Sequence, residues 1–343
     1  MIKISSTGAK VLNKLVSCDG FYCDSKFRVQ THAHSDHTRN FKSSLNQNVV
    51  ATKPTLEILS QKNNLPKLLD RPHIYDLGVN ESIEFDDCKI QFKDAMHMIG
   101  SVQVEVHYNN GQRIGYSGDF SAKAIENPIQ VDVLLVDSTY GDPNSVRNFT
   151  QEQANNELID VIGNNYLRGP IYLKGNMGTL QKSLSIINNE FPSLPILISS
   201  KDLNIMKVYN KYGYSISNFH IDNQLKKEII DIRDENRYIK TYPNLSQIPS
   251  DISDHISINL SSIFHRRSGI ITKHSDNHYT VSISEHADFN ETIEYIKNVN
   301  PKFVFTDPSI NNKYANNLAI EIKRLLSIDS KSAQVNQTYE WGK

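Results

Sequence analysis

The chain has 343 residues, with 37 Lys and Arg residues against 38 Asp and Glu residues and a formal net charge of -1. A hydrophobic content of 38% and a charged content of 22% exclude an intrinsically disordered chain and allow one large domain or two. The near-zero net charge gives no sign of a nucleic-acid partner, because proteins that bind nucleic acids often carry an excess of basic residues.

Three features of the sequence bear on its cellular setting. No apolar run approaches the roughly 20 residues that a membrane helix needs. The first residues, Met1 to Ser6, lack the apolar segment and cleavage site of a signal peptide. The chain has three cysteines, and a number so small and uneven does not fit a disulfide framework. We therefore expect a cytoplasmic protein without a membrane partner.

The first part of the chain, to about residue 140, is predicted to form short strands because apolar and polar residues alternate there. The predicted strands are residues 27–32, 82–85, 89–92, 102–106 and 113–116. An Asn110-Gly111 pair can close a hairpin between the last two. The apolar run at 131–136 is typical of a strand that is covered on both faces.

From about residue 145 predicted helices alternate with predicted strands, which favours an α/β architecture. Helices are predicted at 151–162, 180–187 and 206–216, and strands near 171–173 and 192–200. Strand character returns at 279–283, and Asp288 and Glu291 then have the spacing of a capping box at the start of a helix. A last amphipathic helix is predicted at 314–326. The fold class predicted by the whole pattern is α/β.

The most informative segment is Thr31-His-Ala-His-Ser-Asp-His-Thr38, which has four potential metal ligands within six residues. It follows a predicted strand, and alternate residues of an extended chain point the same way, so His32 and His34 can both reach one ion. The turn that follows can direct Asp36 and His37 at a second ion. Imidazole and carboxylate ligands suit zinc. The alternative interpretation is a polar loop that is rich in histidine by chance.

The HxHxDH pattern of this segment resembles the signature of the metallo-β-lactamase fold superfamily. Two later motifs of that superfamily are matched in order by Asp94-Ala-Met-His97 and by Gly118-Asp119 after a predicted strand. The resemblance implies a four-layer αββα fold that holds two zinc ions. It implies that one zinc is bound by His32, His34, His97 and Asp119. It implies that the other is bound by Asp36, His37 and the bridging Asp119.

Two further segments, Asp137-Ser-Thr-Tyr-Gly141 and Ser284-Glu-His286-Ala-Asp, resemble motifs of the β-CASP nucleases, the branch of the superfamily that cuts nucleic acids. In that branch an additional α/β domain is inserted between these two motifs, which fits the change of pattern near residue 145. The resemblance implies a metallo-β-lactamase domain at 1–144, an inserted β-CASP domain at 145–275 and the rest of the first domain at 276–343.

The third β-CASP motif is where this sequence departs from the RNA-processing members such as RNase J. In those members the next strand ends in a histidine that completes the second zinc site, whereas here it reads Pro301-Lys-Phe-Val-Phe-Thr-Asp307. DNA nucleases such as Artemis also lack that histidine, and Ser284-Glu-His286 resembles their motif, although Asp137-Ser-Thr-Tyr is closer to the RNA-processing form. We expect a second ion that is weak or exchangeable with Mn or Mg. Asp307 is then either a substitute ligand or a turn residue.

The resemblance also implies roles for individual residues, and the predicted catalytic residues are Asp36, Asp137 and His286. Asp36 would orient the ions and the attacking water, Asp137 would accept a hydrogen bond from a histidine, and His286 would protonate the departing oxygen. Predicted substrate-binding residues are Lys174, Asn176, Gly178, Thr179 and Ser284. The first four form a turn that can present amides and a cation to a phosphate, or simply a helix entry. Basic runs at 265–267 and 273–274 can follow a nucleic-acid backbone or face solvent.

We therefore expect a zinc-dependent nuclease, with a preference for DNA and 5′-to-3′ exonuclease action in repair or processing. The expected partner is nucleic acid, single-stranded or at an end, and the expected oligomeric state is a monomer or homodimer. One alternative is an RNA-processing endo- or exoribonuclease. A thioester or ester hydrolase of the same fold would leave Asp137 and His286 unexplained. A non-catalytic scaffold would leave the intact ligand set unexplained.

Overall fold

A computed structural model describes residues 1–223, 225–242, 255–261 and 269–340. The chain divides into two compact units, the first made of Met1–Val146 and His286–Lys343 and the second of Arg147–Glu285. The second unit is therefore an insertion in the chain of the first. Within the described ranges no helix combines the length and the apolar character needed to span a membrane.

The first unit contains two sheets, and the first of them begins at the N-terminus. Its strands are β1 (Ile2–Ile4), β2 (Ala9–Leu12), β3 (Val16–Asp19), β4 (Phe27–Val29), β5 (Asn48–Ala51), β6 (Ile74–Asp76) and β21 (Thr338–Tyr339). Their spatial order is β21-β1-β2-β3-β4-β5-β6. Pairing is antiparallel from β21 to β3 and parallel from β3 to β6. A 3-10 helix (Phe41–Asn46) precedes β5, and α1 (Lys53–Asn63) follows it.

The second sheet of this unit has a similar division into parallel and antiparallel parts. Its strands are β7 (Ser82–Phe85), β8 (Cys88–Asp94), β9 (Val102–Tyr108), β10 (Arg113–Tyr116), β11 (Val133–Val136), β19 (Phe303–Thr306) and β20 (Asp329–Ser332). Their order is β20-β19-β11-β10-β9-β8-β7, with parallel pairing from β20 to β10 and antiparallel pairing from there to β7. The helical segments beside it are a 3-10 helix (Ala122–Glu126), α6 (Phe289–Val299) and α7 (Asn312–Leu326).

The two sheets pack face to face, and β11 shows how the second is covered on both sides. Val133 and Leu135 join a buried cluster with residues of the first sheet. Leu134 and Val136 point the other way, into a cluster with apolar side chains of α6 and α7. This alternation is what period-2 geometry requires, and it confirms the prediction of a doubly covered strand at this position.

The second unit is built on a single mostly parallel sheet. Its strands are β12 (Ile171–Lys174), β13 (Ile196–Ile198), β14 (Phe219–Ile221), β15 (Ile239–Thr241), β16 (Ile256–Ser261), β17 (Ile271–Ser275) and β18 (His278–Ser282). Their order is β14-β13-β15-β12-β16-β18-β17, and the β17–β18 pair is antiparallel. The helices are α2 (Gln151–Asn165), α3 (Thr179–Glu190), α4 (Asp202–Lys211) and α5 (Lys227–Asp234).

Helices cover both faces of this third sheet, as expected for an α/β layer arrangement. Apolar side chains of α2, α3 and α4 share one buried cluster with the strands. Ile229 of α5 packs with Tyr172, Leu197 and Tyr238 in another. Together with the two sheets of the first unit, this arrangement confirms the α/β class predicted from the sequence.

The local predictions differ from the structure at several boundaries. The capping box of Asp288 and Glu291 is present at α6, and Gly111 closes the β9–β10 hairpin with a φ of 82°. The helix predicted at 206–216 ends at Lys211, and Gly213 follows with a φ of 96°. The strand predicted at 279–283 is β18, which pairs with β16 and β17 in the second unit. The second unit consequently extends to Glu285 rather than to residue 275.

Candidate metal centre

The candidate metal centre lies in the first unit, where polar residues follow the carboxyl ends of several strands. The HxHxDH segment follows β4, Asp119 follows β10 and Asp137 follows β11. Because β10 and β11 are parallel neighbours, their carboxyl ends meet at one edge of the second sheet. The fold thereby gathers side chains that are far apart in the sequence.

One group of ligand atoms is formed by His32, His34, His97 and Asp119. Its four ligand atoms all lie within 4.8 Å of one another, so the group can hold a metal ion. His34 Nδ1 is 3.2 Å from His32 Nε2 and 3.1 Å from His97 Nε2. Asp119 Oδ2 is 3.6 Å from His32 Nε2 and 3.8 Å from His97 Nε2.

These separations fit a tetrahedral ion. Zinc–nitrogen bonds of about 2.0–2.1 Å in a tetrahedron place neighbouring ligand atoms about 3.4 Å apart. The four separations of 3.1 to 3.8 Å lie on either side of that value. Three imidazoles and one carboxylate are also the donor types that suit zinc. The residues present therefore fit the ion that the sequence predicts.

A second group of ligand atoms adjoins the first through Asp119. His37 Nε2 is 3.3 Å from Asp119 Oδ1 and 3.6 Å from Asp36 Oδ2. Asp119 thus directs one oxygen to each group. His37 is buried, whereas the Asp36 side chain is 43% exposed.

His286 lies beside both groups and is held by Asp137. Its Nε2 is 3.8 Å from Asp119 Oδ2, and its Nδ1 is 3.3 Å from Asp137 Oδ2. The other oxygen of Asp137 accepts hydrogen bonds from the backbone N–H and the hydroxyl of Thr139, at 2.9 and 2.8 Å. Thr139 therefore holds Asp137 through Oδ1, and Oδ2 orients the imidazole of His286.

The electrostatics of the cluster favour a neutral ligand histidine and an ionised carboxylate. Burial, and then the charge of His37, lower the pKa of His32 well below its ordinary value. Burial raises the pKa of Asp119, but the charge and hydrogen bond of His37 bring it well below its ordinary value. Burial lowers the pKa of His37, yet Asp119 and Asp19 raise it well above its ordinary value. His32 and Asp119 are thus in the forms that bind metals, a neutral imidazole and a carboxylate, whereas His37 releases a proton if it binds one.

Comparison with known proteins adds an independent finding, although no protein-family model matches the chain. A protein of Acidianus ambivalens described as "Uncharacterized protein in lig 3'region" is 33% identical over 137 residues, which cover 40% of this chain and 96% of that protein. An RNase J-like protein of Methanocaldococcus jannaschii is 24% identical over 54% of this chain and 49% of its own length. Transcription termination factor FttA of Pyrococcus horikoshii is 27% identical over 41% of this chain and 26% of its own length. The names of these last two relatives support the resemblance to the β-CASP nucleases, at 24% and 27% identity.

The matches to the last two relatives span less than half of each protein. Among solved structures, a protein of unknown function from Enterococcus faecalis V583 is similar to this chain with a TM-score of 0.58 at 13% identity. That likeness covers 82% of this chain and 74% of the other, and it concerns the fold alone.

Asp19 holds the HxHxDH segment in place through hydrogen bonds, a role that we did not predict from the sequence. It is fully buried at the end of β3, and its Oδ2 is 2.7 Å from His37 Nδ1. Its Oδ1 accepts hydrogen bonds from the N–H and hydroxyl of Thr31 at 3.0 and 2.8 Å. The Thr31 hydroxyl lies 3.0 Å from His32 Nδ1, so one carboxylate orients two candidate ligand histidines.

A buried arginine extends this support. Arg28 is fully buried on β4 and donates to Gln30 Oε1 at 2.8 Å and to the backbone carbonyl of His37 at 3.3 Å. The Gln30 amide in turn donates to the carbonyl of His32 at 2.8 Å. No sequence pattern indicates that Arg28 or Gln30 is buried. Their supporting role is therefore visible only in the folded structure.

The turn that presents His97 is fixed by hydroxyl groups. The Ser101 Oγ accepts from the backbone N–H groups of His97 and Met98 at 3.0 and 3.1 Å. The carbonyl of Gly100 accepts from the hydroxyls of Thr52 and Thr55 at 2.7 and 3.0 Å. These bonds attach the His97 turn to the start of α1.

Gly118 is the position where a substitution is expected to displace Asp119 directly. Its φ is 57°, and a Cβ there would meet the carbonyl oxygen of Val102 at 2.7 Å. We expect Gly118→Ala to lower the free energy of unfolding by about 1–3 kcal/mol from backbone strain, with the clash adding to the loss. Thermal unfolding and zinc titration of the variant measure both effects.

Gly111→Ala is the matched control for that experiment. Gly111 has a φ of 82° but open space where its Cβ would be. Gly111→Ala is expected to lower the free energy of unfolding by about 1–2 kcal/mol without any change in zinc affinity. Equal zinc affinities for the Gly118 and Gly111 variants would contradict the role given to the Gly118 turn.

The predicted substrate-binding residues lie in the second unit. Lys174 ends β12, Asn176 is exposed in the turn that follows, and Gly178 and Thr179 are buried at the start of α3. The Gly178 N–H donates to Gln181 Oε1 at 2.8 Å, so this amide already has a partner within its own helix. Ser284 is 1% exposed, and its backbone N–H donates to Gln151 Oε1 at 3.1 Å.

Of the two basic runs, 273–274 lies on β17, where Lys273 pairs with Asp276 at 2.8 Å. The run at 265–267 lies outside the described residues.

Asp307 is placed beside the centre, but both of its carboxylate oxygens are engaged. Its Oδ1 accepts from the N–H and hydroxyl of Ser309 at 2.9 and 2.5 Å. Its Oδ2 is 3.5 Å from Nζ of Lys10, a residue that the sequence did not single out. The structure thus favours the turn-residue interpretation of Asp307 over that of a substitute ligand.

Proposed function

We propose that this protein is a zinc-dependent nuclease that hydrolyses phosphodiester bonds of nucleic acid. The observation that carries the proposal is the convergence of His32, His34, His97 and Asp119 on one position, with His37 and Asp36 adjoining it through Asp119. The names of the RNase J-like relative and of a Methanocaldococcus jannaschii protein called "Probable RNase MJ4" support a nucleic-acid substrate.

We further propose that the first unit is the four-layer αββα metallo-β-lactamase domain and that the second is the inserted β-CASP domain. Two sheets packed face to face, with α6 and α7 on the outer face of one, support the first assignment. An α/β unit inserted between Asp137 and His286 supports the second. The proposed metallo-β-lactamase domain then consists of residues 1–146 and 286–343, and the proposed β-CASP domain of residues 147–285.

The proposed centre takes two zinc ions, one in each ligand group. The first group is complete with four ligands, whereas the second has His37, Asp36 and the shared Asp119. Bound divalent ions supply Lewis-acid activation of water and neutralise charge on the phosphodiester. The smaller ligand set supports a second ion that exchanges with Mn or Mg.

The chain's own residues then orient the reaction. Asp36 and Asp119 accept hydrogen bonds and fix the position of the attacking water. His286 is held by Asp137 with its Nε2 toward the centre, where it can donate a proton to the departing oxygen. Burial lowers the pKa of His286, but its hydrogen bond to Asp137 and the charge of Asp119 raise it above its ordinary value. A raised pKa increases the fraction of the proton-carrying form.

The preferred substrate is proposed to be DNA, with 5′-to-3′ exonuclease action. The engaged oxygens of Asp307, and the lack of a histidine at that position, support the resemblance to the DNA-acting members. The RNase J-like relative supports an RNA-processing nuclease as the second candidate.

The deciding experiment compares labelled single-stranded DNA and RNA, each with a 5′-phosphate or a 5′-hydroxyl. The wild-type protein is expected to cut one chemistry faster and to lose activity in excess chelator, with recovery on adding zinc or manganese. Asp36→Ala is expected to lower the rate about 10²–10³-fold, the cost of removing one group that stabilises a transition state. Asp160→Ala, an exposed aspartate on α2, is the control with unchanged rate.

Cleavage that survives both the chelator and Asp36→Ala would refute a metal-dependent nuclease. Turnover of a thioester, with no cleavage of any nucleic acid, would establish a different hydrolase of the same fold.

A further inference from the structure

Lys10 is a buried cation at the edge of the metal centre. It lies on β2 and is 3% exposed, and its ammonium is 5.6 Å from the centre of the Tyr116 ring on β10. A buried ammonium is costly unless it is paired, and here Asp307 supplies the partner at 3.5 Å. Burial lowers the pKa of Lys10, but Asp307, Asp19 and Asp119 together raise it above its ordinary value. Lys10 is therefore a fixed positive charge at neutral pH.

The same pocket contains the Lys10–Asp307 pair and the second ligand group. It has a volume of about 120 Å³, lies in the first unit, and is lined in part by Lys10, Asp36, His37, Asp119, Asp137 and Asp307. Asp307 is held next to Asp137, because its N–H donates to the carbonyl of Val136 at 2.9 Å and its carbonyl accepts from the Ser138 hydroxyl. The ion pair consequently has a defined place on one wall of this pocket.

We propose that the Lys10–Asp307 pair sets the ion affinity of the second ligand group, with Lys10 opposing binding and Asp307 supporting it. The inference rests on the proposed two-ion centre and names the residues that make its second ion exchangeable. Lys10 acts through its charge, as a positioning residue. The contacts described for its ammonium are with Asp307 and the Tyr116 ring, and not with a ligand of the first group.

The physical basis is Coulomb interaction with the charge of Lys10, which is buried. A unit positive charge repels a divalent cation, and the burial of Lys10 reduces the screening that water provides. Asp307 offsets this repulsion only in part, because its Oδ1 is committed to Ser309 and its charge is shared with Lys10. Removing one charge of the pair exposes the full effect of the other.

The test measures ion binding by equilibrium dialysis against buffered Zn²⁺ and Mn²⁺, with bound metal counted by mass spectrometry. Lys10→Met keeps the length of the side chain and removes its charge, so the second ion is expected to bind at least about tenfold more tightly. Asp307→Asn keeps the shape and leaves Lys10 unopposed, so the second ion is expected to bind at least about tenfold more weakly. Lys10→Arg keeps the charge and is the matched control.

A charge effect predicts that the affinity for the second ion rises in Lys10→Met and falls in Asp307→Asn. A purely structural role would lower the affinity in both, and that result would overturn the proposal, as would unchanged affinity in both. If Lys10→Met does not fold, Asp307→Asn decides, together with the double variant Lys10→Met/Asp307→Asn. The double variant leaves no unpaired buried charge, and its affinity for the second ion is expected to exceed that of Asp307→Asn; an affinity equal to or below that of Asp307→Asn would overturn the proposal.

A nuclease assay on the same preparations separates this inference from the proposed function. Two bound ions with the expected shifts, but no cleavage of DNA or RNA, would refute the nuclease proposal alone. Cleavage that depends on metal, with ion affinities unmoved by both variants, would refute the role of the pair alone.

Discussion

Replacement of Asp119 by asparagine is expected to lower nuclease activity at least about 10³-fold, the scale seen when one member of a catalytic group is removed. Asp119 directs Oδ2 toward His32, His97 and His286 and Oδ1 toward His37, at 3.3 to 3.8 Å. An amide of the same shape has one weaker acceptor and no charge. Both ligand groups therefore lose their shared carboxylate, and both ions are expected to bind weakly.

Zinc content by mass spectrometry and cleavage rates on labelled nucleic acid check this expectation. Asp160→Asn, on the exposed side of α2, is the control for loss of an aspartate charge. A variant that retains two ions, or that cleaves at more than about a tenth of the wild-type rate, would contradict the bridging role of Asp119.

Replacement of Asp19 by alanine is expected to reduce the free energy of unfolding by about 3–5 kcal/mol, the cost of removing one partner from a buried ionic pair. The carboxylate is fully buried and faces His37 Nδ1 at 2.7 Å. Its removal also leaves the N–H of Thr31 without this acceptor. Because His32 and His37 lose their orienting partner, zinc affinity is expected to fall a further 10–100-fold, about the range for groups behind metal ligands.

Chemical denaturation and zinc titration of the same preparations measure these two effects. Asp19→Asn keeps an acceptor oxygen for Thr31 and is expected to recover part of the stability but little of the zinc affinity. A lower free energy of unfolding with unchanged zinc affinity would show that Asp19 stabilises the fold but does not contribute to metal binding.

The candidate ligand segment could be picked out from the sequence because four potential ligands, three histidines and one aspartate, occur within six residues after a strand. The elements with strong patterns were also predictable, among them β11 with its apolar run and α6 with its capping box. In each case the physical cause is local: period-2 burial for the strand and hydrogen bonds of the first helical turn for the helix.

The supporting residues could not be predicted because their burial contradicts their type. Lys10 and Asp19 lie on β2 and β3, short strands in which every residue is buried, so no alternation marks them. Charged residues usually face water, and only the folded positions of Asp307 and His37 explain these exceptions. A pattern read along the chain does not contain such pairings, which join residues far apart in sequence.

The placement of the second unit within the chain has a consequence for biosynthesis. Strands β19, β20 and β21 belong to the two sheets of the first unit, yet a ribosome makes them only after Arg147–Glu285. Until then β11 is an open edge whose backbone groups lack the β19 partner, and α6 and α7 have not yet covered its apolar face. Such edges and faces attract other nascent chains. The early part of this protein must therefore be kept apart from its neighbours while the insertion is translated and folded.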